Sequence, residues 1–343
     1  MLTPALRTRL RALPKAELHV HLDGSLRPET MVALAEARGV PLPTTDPEAL
    51  RRFMRADDTA DLVAYLAKFE LTLSVMQDAE ALERITFELV EDHAAENVRW
   101  VEIRFSPVLN TRGGLSMDEV MEATVRGLER GFAATGIQGG LILCALRNQS
   151  PDIAREIATL ALRWKDRGVL AFDLAGAEAG HPAHHHLEAF EIADNGNLPS
   201  TIHAGEAWGA ESIHDALHTC RANRIGHGTR LYEDEDLLRW VRDLQIPIEI
   251  CLTSNVQTRV SPTFAEHPVR RYFDEGIALT LCTDNRLMSG TTVTTEYERA
   301  AEHLEFTWEE LVKVARMGFE SAFRAWPEKR AQLAAFDAEV LAI

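Results

Sequence analysis

The chain has 343 residues, 46% hydrophobic and 26% charged, the composition of an ordinary globular protein with room for a large core. With 53 acidic against 36 basic residues the net charge is −17, a field that repels polyanions and excludes nucleic acid and anionic membrane surfaces as partners. A small, roughly neutral ligand meets no such barrier.

The first apolar strand is expected over Ala16 to His21. Side chains alternate along a strand, so His19 and His21 point to one face and Leu18, Val20 and Leu22 to the other, which is how a strand offers a metal two imidazoles. Helical segments follow at Pro28 to Arg38, Pro47 to Met54 and Thr59 to Met76, more than one crossover needs, and they are expected to lie over the barrel mouth as a lid. Ala79 to Glu96 carries a broad apolar stripe, and Ser116 to Ala134 opens on a Ser116-x-x-Glu119 capping box. Further strands are expected at Val98 to Ser106, Gly140 to Ala145, Val169 to Leu174, Ser200 to His203, Arg224 to His227, Ile246 to Cys251 and Ile277 to Cys282. Eight strands with helical segments between them predict an α/β fold, a (β/α)8 TIM barrel formed as one domain over residues 1–343, with extra helices after the first strand.

The four cysteines, Cys144, Cys220, Cys251 and Cys282, are far apart with no C-x-x-C pair and read as reduced, mostly buried thiols, Cys282 packing within its strand. No apolar run follows the charged residues from Met1 to Arg11 and none approaches the length of a membrane span, so a cytoplasmic location is the expectation. Nothing in the pattern speaks to oligomeric state.

Chemistry concentrates where strands end. The fifth strand runs into His203-Ala204-Gly205-Glu206, the sixth into Gly226-His227-Gly228, the eighth into Cys282-Thr283-Asp284-Asn285. Carboxyl ends of barrel strands are where this architecture keeps catalytic groups. His19, His21, His203 and Asp284 form a nitrogen-and-oxygen set that suits zinc, with iron, manganese or cobalt as alternatives. Glu206 and His227 stay free for acid and base work beside the metal.

Other histidines have plainer readings. His184, His185 and His186 read as a solvated helix start. His214 and His218 have zincin spacing, but Asp215 stands where that motif has glutamate, so they read as surface residues; His93, His267 and His303 read as ordinary polar positions. The H-x-E and P-C-x-x-C pattern of zinc-dependent nucleic-acid deaminases is absent.

Several blocks in order and register carry a resemblance: Pro14-Lys-Ala-Glu-Leu-His-Val-His-Leu-Asp-Gly-Ser25, Phe172-Asp-Leu-Ala-Gly176, His203-Ala-Gly-Glu206, Arg224-Ile-Gly-His-Gly228, Thr253-Ser-Asn255 and Thr283-Asp284. In these the chain resembles the adenosine deaminases of the amidohydrolase superfamily, and among them the bacterial type. The resemblance implies one zinc per chain, held by His19, His21, His203 and Asp284, and no other cofactor. It implies a purine nucleoside as substrate, losing its 6-amino group to water as ammonia. Glu206 would protonate ring nitrogen 1, His227 orient the attacking water and Asp284 accept its proton; His21 would also line the substrate pocket. Gly176 would contact the purine, Asp23 the ribose and Asn285 ring nitrogen 7. Many relatives carry a second aspartate where this chain has Asn285, whose amide donates to an acceptor without first being protonated. Sibling activities on adenine, a modified adenosine or aminodeoxyfutalosine are the alternatives, and a metal-stabilised binding protein without catalysis is the rival from another class. A nucleotide substrate would call on cations such as Arg51, Arg52 and Arg55.

Overall fold

A computed structural model describes residues 2–55 and 62–343. Its strands are β1 (Lys15–His21), β2 (Val98–Phe105), β3 (Gln138–Leu146), β4 (Val169–Ala175), β5 (Thr201–Ala204), β6 (Arg224–His227), β7 (Ile248–Ile250) and β8 (Leu279–Leu281). They pair in parallel in the orders β1-β2-β3-β4 and β5-β6-β7-β8. Two seams close the barrel. Phe172 N–H donates to Pro199 C=O at 3.0 Å between β4 and β5, and His21 N–H to Asp284 C=O at 2.7 Å and Asp284 N–H to His19 C=O at 2.8 Å between β8 and β1.

The expected strands all exist, but the last two are shorter. Ile246 N–H donates to Val241 C=O and Ile277 N–H to Tyr272 C=O, each closing the end of the preceding helix through a left-handed residue, Gln245 or Gly276. Those amides satisfy helix carbonyls, so they are spent before the sheet begins. Both faces of the strands are covered: Leu18, Val20, Ile103, Leu143, Ile202, Ile225 and Leu281 are buried against the helical layer. The helix Met117–Thr135 keeps its expected capping box, with Ser116 and Glu119 bonded reciprocally.

The insertion after β1 divides. The helix Pro47–Met54 packs against the short helix Arg286–Ser289 that follows β8, on the carboxyl face of the barrel, as expected of a lid. The helix Pro28–Arg38 instead leans on the outer helix Ala79–Ala94: Thr30 Oγ1 donates to Glu88 Oε2 at 2.6 Å, and just before it Arg27 pairs with Asp92 at 2.7 Å. The third helix is Leu62–Ser74, and the expected start at Thr59 lies outside the described residues. No described helix is long and apolar enough to cross a membrane, and the four cysteines are buried and unpaired by disulfides.

Candidate active site at the carboxyl end of the barrel

His19, His21, His203 and Asp284 meet at the barrel mouth, with one donor atom from each lying within 4.8 Å of the others. Glu17 sets the seam that brings them together. Its Oε1 accepts His19 N–H at 2.9 Å, and its Oε2 accepts Thr283 N–H at 3.0 Å and the Thr283 hydroxyl at 2.7 Å. Asp284 itself takes a left-handed backbone, φ 59°, which turns its carboxylate back toward β1.

The orientation of the imidazoles follows from what lies behind them. His19 Nδ1 donates to Glu249 Oε2 at 2.8 Å and His203 Nδ1 to Asp173 Oδ1 at 3.2 Å, so each presents the Nε2 lone pair to the site. His19 Nε2 is buried with no hydrogen-bond partner among the described residues, 3.5 Å from Asp284 Oδ1, and His21 Nε2 lies 3.1 Å from His203 Nε2. Burial, the largest effect on each, lowers the pKa of His21 and His203 and keeps them neutral. Burial pushes the Asp284 carboxyl up, yet the histidines around it, His19 foremost, hold it well below the usual carboxylate range. Converging lone pairs and a carboxylate repel unless a cation lies among them, so the donor set fits a metal.

Behind the ligands runs a buried chain of charge. Glu249 accepts His19, Arg104 Nη2 at 2.8 Å, Arg224 Nε at 2.7 Å and Thr201 Oγ1 at 2.9 Å. Arg104 Nη1 also donates to Asp173 at 3.0 Å, and Arg224 Nη2 to Glu102 at 2.6 Å. All five charged groups are buried, and they fill barrel space that such folds more often give to apolar layers. A network of this kind fixes direction more than it adds stability.

Beside the ligands, Glu206 Oε2 lies 3.5 Å from His227 Nε2. Burial, with the nearby charges of Asp284 and Glu178, pushes the Glu206 carboxyl up to about 8, so it holds its proton at neutral pH. The tautomer of His227 follows from its neighbours. His267 Nδ1 accepts Val269 N–H at 3.1 Å, which puts the His267 proton on Nε2, 3.1 Å from Asn255 Oδ1. Thr229 Oγ1 donates to the same Oδ1 at 2.9 Å, so the Asn255 amide nitrogen faces His227 Nδ1, at 3.0 Å. His227, its pKa lowered first by burial, is therefore the Nε2–H form and turns a donor toward the site.

The adenosine deaminase family profile matches residues 14–338. The chain belongs to the adenosine deaminase family. It is 44% identical over 349 aligned positions to the adenosine deaminase of Mycolicibacterium gilvum, covering 96% of each chain. It is 42% identical to the probable adenosine deaminase of Dictyostelium discoideum over 92% of this chain, which spans only 41% of that longer relative. Among solved structures it superposes on an adenine deaminase from Arthrobacter aurescens with a TM-score of 0.89 and 29% identity, covering 96% of this chain and 98% of that one. An amidohydrolase from Burkholderia ambifaria, solved with bound Zn, gives a TM-score of 0.90 and 25% identity over 99% of this chain and 94% of that one.

Within this family the three-histidine, one-aspartate set is a zinc site, and the fold is the (β/α)8 barrel. The positions on which the family resemblance placed substrate contacts face the same mouth. Asp23 Oδ1 is buried and has no hydrogen-bond partner among the described residues; burial, then the charge of Asp284, pushes this carboxyl up to about 6. Gly176 directly follows β4, with φ 89°. Asn285 packs so tightly on Gly24 that a Cβ there would sit 1.7 Å from Asn285 Oδ1, so only glycine fits.

The remaining histidines divide. His214 and His218 are exposed, as expected, with rings 4.3 Å apart. Of the triple, His184 and His185 are exposed, but His186 is buried and donates Nε2–H to Arg147 C=O at 3.1 Å, because the run forms a single tight turn that folds its last side chain inward. His93 and His267, taken as ordinary polar positions, are buried; His93 bonds Leu89 C=O at 2.7 Å and His267 holds Asn255. Arg51 pairs with Glu29 at 2.9 Å. Glu249, Arg104, Arg224 and Glu102 were missed. Their signal is a charge in the interior of a strand covered on both faces, which has to be paired inside the barrel.

Proposed function

We propose that this chain hydrolyses adenosine and 2′-deoxyadenosine to inosine and 2′-deoxyinosine with release of ammonia, residues 1–343 acting as one catalytic domain. The observation that carries the reading is the half-buried Glu206 carboxyl, 3.5 Å from His227 Nε2 and beside the four-residue donor cluster of a family member. His19, His21, His203 and Asp284 would hold one zinc, which when bound brings the pKa of water down to about 7.

Glu206 donates its proton to ring nitrogen 1, so carbon 6 becomes electrophilic. His227 Nε2–H hydrogen-bonds the oxygen that attacks carbon 6 and steadies its charge. Asp284, ionised, takes one proton from the water and passes it to the amino group, which leaves as ammonia. The second water proton restores Glu206, and the product keeps a proton on nitrogen 1. Asn285 donates its amide N–H to ring nitrogen 7, the Gly176 backbone contacts the purine, His21 lines the pocket, and the open Asp23 Oδ1 accepts a ribose hydroxyl. The four buried, unpaired cysteines suit the reducing cytoplasm.

The likeness to an adenine deaminase favours one second reading, the same reaction on the free base. Following ammonia release from adenosine, 2′-deoxyadenosine and adenine by the zinc-loaded protein separates the two. Higher kcat/KM on the nucleosides is expected; preference for adenine would favour the second reading, and silence on all three would overturn both.

A further inference from the structure

Glu178 lies in the loop after β4, nearly buried, and its carboxylate is filled by backbone rather than by a cation. Oε1 accepts Gly205 N–H at 2.7 Å; Oε2 accepts Glu206 N–H and Trp208 N–H, each at 3.0 Å, and also Ala207 N–H. Four successive amides after β5 thus turn onto one carboxylate, forming an anion-binding nest whose anion is supplied by the neighbouring strand's loop. Gly205 makes the turn possible: its φ is 72°, and a Cβ there would lie 2.5 Å from Ile213 Cδ1.

We infer that Glu178 is the positioning residue for Glu206: by gathering the four amides from Gly205 to Trp208 it fixes the backbone from which the proton donor reaches its target. Bonds from amides to an ionised carboxylate are short and strong, and a loop lacking this anion would leave four donors without a buried acceptor. The same loop begins at Gly176, two residues earlier, so Glu178 also ties the β4 loop proposed to meet the purine to the β5 loop that protonates it. No other described carboxylate bonds these four amides.

The inference rests on the proposed role of Glu206, and a double-mutant cycle keeps the two apart. Wild type, Glu178→Gln, Glu206→Gln and the double variant are loaded with zinc, checked for metal content and melting, and assayed on adenosine. An amide offers one acceptor oxygen and turns an NH2 toward the remaining donors. Glu178→Gln is expected to keep its zinc and lower kcat by about 10²-fold, the cost of a misplaced catalytic group, with KM changed less than kcat. In the Glu206→Gln background the same change is expected to cost less than about 2-fold, because a residue that acts through Glu206 has nothing left to position. A general structural role would lower the rate by the same factor in both backgrounds, and that result overturns the inference, as does Glu178→Gln with wild-type kcat. Glu206→Gln at wild-type rate would instead overturn the proton-donor role itself. If Glu178→Gln does not fold, Glu178→Asp is run through the same cycle; being one methylene shorter, it keeps the charge but reaches fewer of the amides, and the same non-additivity is expected.

Discussion

Glu249→Gln removes the centre of the buried charge chain while keeping its shape. In the native protein Glu249 answers two guanidiniums, one imidazole and one hydroxyl, all buried. With glutamine, Arg104 and Arg224 keep only Asp173 and Glu102 as charged partners, and one arm of the amide becomes a donor facing donors. Removing one partner of a buried ion pair costs about 3–5 kcal/mol. At roughly 2 cal/mol/K of unfolding entropy per residue, 343 residues convert that into a Tm lower by about 4–7 °C. The His19 ring also loses the carboxylate that fixes its tautomer, so zinc affinity is expected to fall about 10–100-fold. Calorimetry of the metal-free protein reads the first effect and competition with a chromogenic chelator the second. Thr201→Val serves as control: it deletes a single hydrogen bond to the same carboxylate, worth about 1 kcal/mol, and leaves His19 held. Wild-type Tm together with wild-type zinc affinity in Glu249→Gln would refute the reasoning.

Three further outcomes are expected. Glu206→Gln should keep its zinc and lose about 10²–10⁴-fold in kcat, and the wild type's fall in rate as pH rises through about 8 should disappear with it; a variant that keeps that limb would place the acid elsewhere. Glu96 is pulled up by burial, but Arg286 at 2.7 Å, the Thr294 amide and His93 hold it at about 2. Its folded pKa lies below the unfolded value, so its contribution, on the order of 3 kcal/mol, is present above about pH 4.5 and lost as pH falls toward about 2. The gap in urea midpoint between wild type and Glu96→Gln should therefore be wide at pH 7 and narrow on acidification; a gap independent of pH would contradict the assignment. Asn285→Ala should lower kcat/KM on adenosine about 10-fold or more while changing a 7-deaza analogue little, since one lost hydrogen bond to a bound ligand is worth about 1–2 kcal/mol; equal losses on both would remove the contact to ring nitrogen 7.

The strand ends announced themselves in the sequence because the barrel puts its chemistry there. His19-x-His21, His203, Glu206, His227 and Asp284 could each be read from a polar residue closing an apolar run. What holds them was harder to see. Glu249 and Asp173 stand in strand interiors, where pattern marks only that a charge is buried and not which charge answers it; that depends on how β1, β2, β5 and β6 bring His19, Arg104, His203 and Arg224 across the barrel to β4 and β7. Glu178 sits in a loop whose partner amides lie one βα unit away. His267 looked like a stray polar residue, and its place behind Asn255 and His227 depends on how the segment after β7 folds back. Boundaries slipped where backbone amides served two candidates, as at Ile246 and Ile277, whose N–H groups end helices and so shorten β7 and β8.

The central claim is that one zinc, held by His19, His21, His203 and Asp284, serves hydrolytic removal of the 6-amino group of adenosine. Titrating zinc into the metal-free protein while following ammonia and inosine from adenosine tests it most directly. The two products are expected in equal amounts, with activity rising to a plateau at one zinc per chain; no turnover of adenosine by the zinc-loaded protein, or full turnover before zinc is added, would contradict this.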